Sequence, residues 1–88
     1  MKVEVSKSFE KDISKITDAK LALKLRDLID ELENCKSLGD VANLKKMVVK
    51  GNYYRIRVGN FRLGLKTESN TITLLRFLDR KEIYRYFP

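Results

Sequence analysis

The sequence predicts an α+β domain of order β-α-α-β-β-β, an antiparallel sheet with two N-terminal helices packed on one face. Three observations predict it. Apolar residues recur at helical spacing through residues 9–35. From Leu44 onward the period switches to two. Turn signals at Gly59-Asn60 and at Glu68-Ser69-Asn70 then divide the second half into three alternating runs. Eighty-eight residues suffice for one domain, so 1–88 reads as a single unit whose core nearly every element must share.

Residues 2–5, Lys-Val-Glu-Val, alternate polar and apolar and predict a short strand. Ser8 stands where an N-cap would, and Phe9, Ile13 and Ile16 follow on one face of a short helix. Thr17 and Asp18 break it and can cap the next. That second helix covers residues 18–36. Leu21, Leu25, Leu28, Ile29, Leu32 and Cys35 form its apolar stripe, opposite a solvated face with Lys20, Lys24, Asp27, Asp30, Glu31 and Glu33. Cys35, on the stripe, is expected to be a buried thiol. Ser37 to Asn43 is a loop. Tyr53–Val58, Phe61–Thr67 and Thr71–Leu78 are the three strands of a meander, and Arg80–Tyr86 is a short aromatic-rich turn or helix.

Composition excludes several classes of function. One cysteine allows no intrachain disulfide, and without histidine the usual zinc chemistries lack their ligands, so no metal and no cofactor is expected. No apolar run reaches the ~18 residues of a membrane span, and the N-terminus lacks the apolar stretch of a signal peptide. The expectation is a cytoplasmic protein with no membrane partner.

Charge is distributed unevenly. Residues 1–43 carry 8 basic and 9 acidic side chains, net −1; residues 44–88 carry 11 basic and 3 acidic, net +8. Six of the latter 11 are arginine, whose planar fork binds phosphate bidentately. A polyanion partner is implied. Alternation sorts the hairpin into two faces. Tyr54, Ile56, Val58, Phe61, Leu63 and Leu65 must meet the helices. Arg55, Arg57, Arg62 and Lys66 then share the other face, with Gly64 among them leaving room for a ligand. An ordinary polar sheet face mixes signs; this one has no acid. Parity leaves two places for Arg76: on this face, or turned away by a bulge.

The stretch from Asn52 to Lys66 (NYYRIRVGNFRLGLK), followed by Leu75 to Tyr84 (LRFLDRKEIY), resembles the RelE/ParE superfamily of bacterial and archaeal type II toxins. Element order, size, charge and the basic-aromatic C-terminus extend the resemblance over essentially the whole chain. The resemblance implies a fold similar to that of small microbial ribonucleases. Its RelE branch implies a metal-independent, ribosome-dependent endoribonuclease that cuts mRNA. Carried over residue by residue, Arg62, Arg80 and Tyr84 are the catalytic candidates. Arg55, Arg57, Lys66, Arg76 and Lys81 are the RNA-binding ones. This chain has Arg at 55 and 57 where RelE has Lys, and Asp79 where many relatives have histidine. Arginine holds its proton at any biological pH, so the base implied is Tyr84, helped by the cations around it. The alternative for Tyr84 is packing, together with Ile83, Tyr86 and Phe87, onto the sheet. The resemblance also implies partners: the ribosome and mRNA, and a cognate antitoxin, acidic and partly disordered, that converts a monomeric free toxin into a hetero-oligomer. Two other functions stay open, a ParE-like non-enzymatic inhibitor of DNA gyrase and a basic RNA-binding module without activity.

Overall fold

A computed structural model describes residues 1–48 and 51–88. Among these, the order is β1 (Lys2–Val5), α1 (Lys7–Ile13), α2 (Ala19–Asn34), β2 (Leu44–Lys46), β3 (Tyr53–Val58), β4 (Phe61–Glu68), β5 (Thr71–Asp79) and α3 (Arg80–Tyr86). The five strands form one sheet in the order β1-β5-β4-β3-β2. All neighbours are antiparallel except β1, which runs parallel to β5. The predicted strands and both N-terminal helices are present. The three-residue β2 is an addition, and the parallel β1 makes the sheet mixed.

Local chemistry sets the boundaries. Asp18 caps α2 by accepting from the backbone N–H groups of Lys20 and Leu21 at 2.9 and 3.2 Å. The cap of α1 is Ser6, not Ser8. Its hydroxyl accepts from Phe9 N–H at 3.0 Å and donates to the Leu75 carbonyl at 3.0 Å, so one side chain ends β1 and starts α1. Gly59 takes φ +59° at the hairpin turn, and Ser69 takes φ +56° at the next. Both turns are two residues long, as the pairs Val58–Phe61 and Glu68–Thr71 show.

One core lies between the sheet and the helices. Phe9, Leu25 and Leu32 from α1 and α2 meet Ile56, Leu63, Leu65, Leu74 and Phe77, all buried. Cys35 is half-buried beside this cluster. The register explains why parity failed on β5. Leu65 pairs with Leu74 but Gly64 pairs with Arg76, so the ladder skips Leu75. This bulge keeps Ile72, Leu74 and Phe77 on the core side despite their mixed spacing.

The second face is not left open, contrary to the sequence expectation of helices on one side alone. α3 folds back over it, burying Ile83 and Phe87. The reason is Gly64. The room it leaves is taken by this chain's own Phe87 ring, rather than kept for a ligand.

Along the outer edge of β5, β1 stops at Val5 and α1 takes its place. Asp12 of α1 accepts from Phe77 N–H at 3.0 Å, standing in for a missing strand partner. The same carboxylate accepts from Arg76 Nε at 2.8 Å and Nη2 at 3.0 Å. Arg76 therefore starts opposite Gly64, lies against the Tyr86 ring, and wraps round the sheet edge. Hydrogen bonding to Asp12 raises the Arg76 pKa above its ordinary value; partial burial opposes this, and Coulomb attraction to Asp12 adds to it.

Candidate functional site

β3 and β4 carry the site. The pairs Arg57–Arg62 and Arg55–Gly64 lie side by side on the face that α3 only partly covers. Like charges directly opposite one another repel. Neutral acceptors steer the two rim arginines: Arg57 Nη2 donates to Asn43 Oδ1 at 3.1 Å, and Arg62 Nη1 donates to the carbonyls of Gly59 and Phe61 at 3.1 and 2.9 Å. Arg55 is only 8% exposed, and among the described residues no protein group accepts from its buried Nη1. Its guanidinium carbon lies 4.7 Å from the centre of the Tyr84 ring. Tyr84 is 71% exposed, so it roofs the arginine without being buried by it.

These side chains line a cleft of about 360 Å³, completed by Asn43, Leu44 and Lys45. Among the described residues its lining holds four cations (Lys45, Arg55, Arg57, Arg62) and no carboxylate. Such a wall concentrates positive potential in a partly shielded space and favours an anion.

The structure thus brings together Arg55, Arg57, Arg62 and Tyr84. Arg80 begins α3, and its backbone N–H donates to the Asn60 carbonyl at 2.9 Å, which ties the helix start to the hairpin turn. Its side chain, one helical turn before Tyr84, is exposed and is not among those lining the cleft. Lys66, Arg76 and Lys81 are not brought to the cleft. Lys66 lies beyond Gly64, beside Glu4 and Glu68. Arg76 is held by Asp12. Lys81 is exposed next to Asp79, whose carboxylate caps α3 by accepting from Lys81 N–H at 2.9 Å.

Asn43 and Lys45 were missed by sequence reasoning. Lys45 sits on a strand too short to show alternation. Asn43 adopts φ +62°, a conformation that asparagine tolerates better than most residues, and its backbone carbonyl also accepts from Arg57 N–H at 3.2 Å. An asparagine closing the loop before β2 was the signal available.

Comparison with known proteins assigns the family. Residues 3–84 match the family model described as the ParE toxin of the type II toxin-antitoxin system, parDE. The chain belongs to the RelE/ParE family of type II toxins. It is 42% identical over 89 residues to Toxin RelE3 of Methanocaldococcus jannaschii, and the match covers all of both chains. Among solved structures, the RelB-RelE antitoxin-toxin complex from Methanococcus jannaschii matches with TM-score 0.83 and 38% identity, covering 97% of this chain and 99% of that one. The archaeal RelE-RelB complex from Pyrococcus horikoshii OT3 shares the fold, with TM-score 0.74 at 19% identity over 90% of this chain and 93% of that one. Among the described residues, no helix of this RelE/ParE toxin is long and apolar enough to cross a membrane.

Proposed function

We propose that this RelE/ParE toxin is a ribosome-dependent endoribonuclease that cuts mRNA by promoting attack of a ribose 2′-OH on the adjacent phosphate. Arg55 carries the reading. A buried guanidinium with an N–H that no group among the described residues accepts, in a cleft without carboxylates, is an expensive feature for a small domain unless an anion uses it. A bridging phosphate supplies the acceptor oxygens. Arg55, Arg57 and Arg62 hold that phosphate and offset the extra negative charge of the pentavalent state. Arg80, one helical turn before Tyr84, offsets charge on the departing 5′ oxygen, which takes its proton from water. No carboxylate or imidazole lines the cleft, so the 2′-OH proton passes to Tyr84. The products are a 2′,3′-cyclic phosphate and a 5′-OH end. So sparse a proton-transfer set suits an enzyme whose RNA is presented already bent, which is the role assigned to the ribosome.

Mapping RNA ends after incubation with programmed ribosomes tests the proposal. Cyclic-phosphate ends on ribosome-bound message, and none on free message, are expected. Intact transcripts together with DNA-damage signalling would overturn it in favour of gyrase inhibition. Tyr84→Phe keeps the ring over Arg55 and removes only the hydroxyl. Cleavage should fall about 10²-fold with ribosome binding nearly unchanged. Undiminished cleavage would remove Tyr84 from the chemistry.

The RelE proteins of Methanococcus jannaschii and Pyrococcus horikoshii were solved in complex with RelB. The corresponding partner here is an acidic, partly disordered antitoxin whose carboxylates complement the four cations of the cleft. Titrating it into the cleavage assay should end activity at a fixed molar ratio. A partner-free, non-toxic monomer recovered from cells carrying the intact operon would count against it.

A further inference from the structure

We propose that Phe87 and Gly64 form a lock that positions Tyr84 over Arg55. Its catalytic consequence rests on the reading of the cleft given above; the lock itself does not.

The socket is steric. A Cβ on Gly64 would lie 2.6, 2.7 and 2.8 Å from three ring carbons of Phe87, closer than side chains approach one another. Gly64 sits in ordinary strand backbone within β4, so any residue could adopt its conformation; the Phe87 ring is what a side chain there would meet first. Tyr53 walls the socket on one side, edge-on to Phe87 at 5.9 Å between ring centres and 76° between planes.

The location gives the socket its meaning. Gly64 is the direct cross-strand partner of Arg55. Phe87 is therefore seated beside the arginine that Tyr84 covers. Ile83 and Phe87 are spaced i, i+4, 0% and 5% exposed, and joined by a 2.9 Å hydrogen bond from Phe87 N–H to the Ile83 carbonyl. They are the two buried anchors of α3. Tyr84 follows the first anchor directly and is itself mostly exposed. A cation–π contact with Arg55 is too weak to place the helix, so the anchors place the ring. Phe87 is a positioning residue, acting on the cleft through Tyr84.

The test uses two readouts in the full-length toxin. NMR of the Arg55 side chain reads the Tyr84 ring current, defined as the shift lost on Tyr84→Ala. That loss should be plain in the parent protein and absent in a Phe87→Ala background. Single-turnover cleavage should show kcat down by roughly 10- to 10²-fold in Phe87→Ala, the scale of a misplaced catalytic group, with KM nearly unchanged. Gly64→Ala should reproduce both effects, because the new methyl expels the ring. The double variant Gly64→Ala/Phe87→Ala should be no worse than Phe87→Ala alone. Phe87→Leu, which keeps apolar mass in the socket, supplies an intermediate case should Phe87→Ala fold poorly. A double variant worse than either single one would mean that Gly64 makes room for RNA, and would overturn the lock. So would a Phe87→Ala protein that keeps both the Tyr84 ring current and kcat. If the parent protein cuts no RNA, the NMR cycle still decides the lock, and only the function proposed for the cleft fails.

Discussion

Arg55→Met should make the protein more stable and stop it from cutting RNA. Arg55 is 92% buried by its 8% exposure, and its Nη1 has no acceptor among the described residues. Leaving a buried polar group unsatisfied costs about 1–3 kcal/mol, and more for a charged one. Methionine matches the length of the stem, keeps a favourable contact with the Tyr84 ring, and removes the stranded donor. A gain of about 1–2 kcal/mol is expected, which for a domain of this size raises Tm by roughly 4–16 °C. Removing a donor aimed at developing negative charge typically costs about 10²–10³ in rate, and a comparable loss of cleavage is expected here. Opposite signs on the two axes would identify Arg55 as a residue whose cost in stability is tolerated for the ligand. Calorimetry and single-turnover cleavage on the same preparation read both. Loss of stability together with loss of activity would reduce Arg55 to a packing element.

What the sequence revealed, and what it hid, divides by the range of the interactions. Alternation on β3 and β4 is a local property, and it placed Arg55, Arg57 and Arg62 on one face, where the register Arg57–Arg62 and Arg55–Gly64 keeps them together. The stripe of α2 is equally local, and Asp18 caps it as its position before Ala19 suggested. Three features were hidden. The β5 bulge at Leu75 shifts the face of everything after it, and nothing in Leu74-Leu75-Arg76 marks the shift. Phe87 reads as one more terminal aromatic until it is seen 23 positions from Gly64 in sequence and in contact with it in space. Nothing in the sequence singles out Asp12, whose partners lie 64 and 65 residues away. In each case the missing information was the choice of a distant partner, which periodicity does not carry.

Asp12→Ala should be the most damaging change to any polar side chain among the described residues. The Asp12 carboxylate is buried and accepts three hydrogen bonds, two from Arg76 and one from Phe77 N–H. Arg76, left unpaired, keeps a quarter of its side chain exposed, so the cost lies near the lower end of the ~3–5 kcal/mol of a buried ion pair broken from one side. That is a large share of the ~5–15 kcal/mol by which a domain is stable, and a fall in Tm of roughly 15 °C or more follows. The two parts of the loss can be separated. Arg76→Met keeps the bond from Phe77 N–H to Asp12 but strands the more deeply buried of the two charges, so it should cost a comparable amount. Asp12→Ala/Arg76→Met removes both charges, yet Phe77 N–H still has no acceptor where β1 has ended, so the double variant should not recover. The pH dependence has a definite sign. The Arg76 pKa is raised in the folded state, so its contribution is complete below the unfolded value and is lost only as pH rises through the folded one, far into the alkaline range. Near neutrality the difference between Arg76→Met and the parent should therefore not change with pH. The same pairing bears on RNA. A guanidinium already held by Asp12 has little to offer a phosphate, so Arg76→Met should leave the salt dependence of ribosome binding unchanged, whereas removing Arg57 or Arg62 should lower its slope by about one unit per phosphate contact. A drop in slope for Arg76→Met would return Arg76 to the RNA-binding set and loosen the structural role given to Asp12.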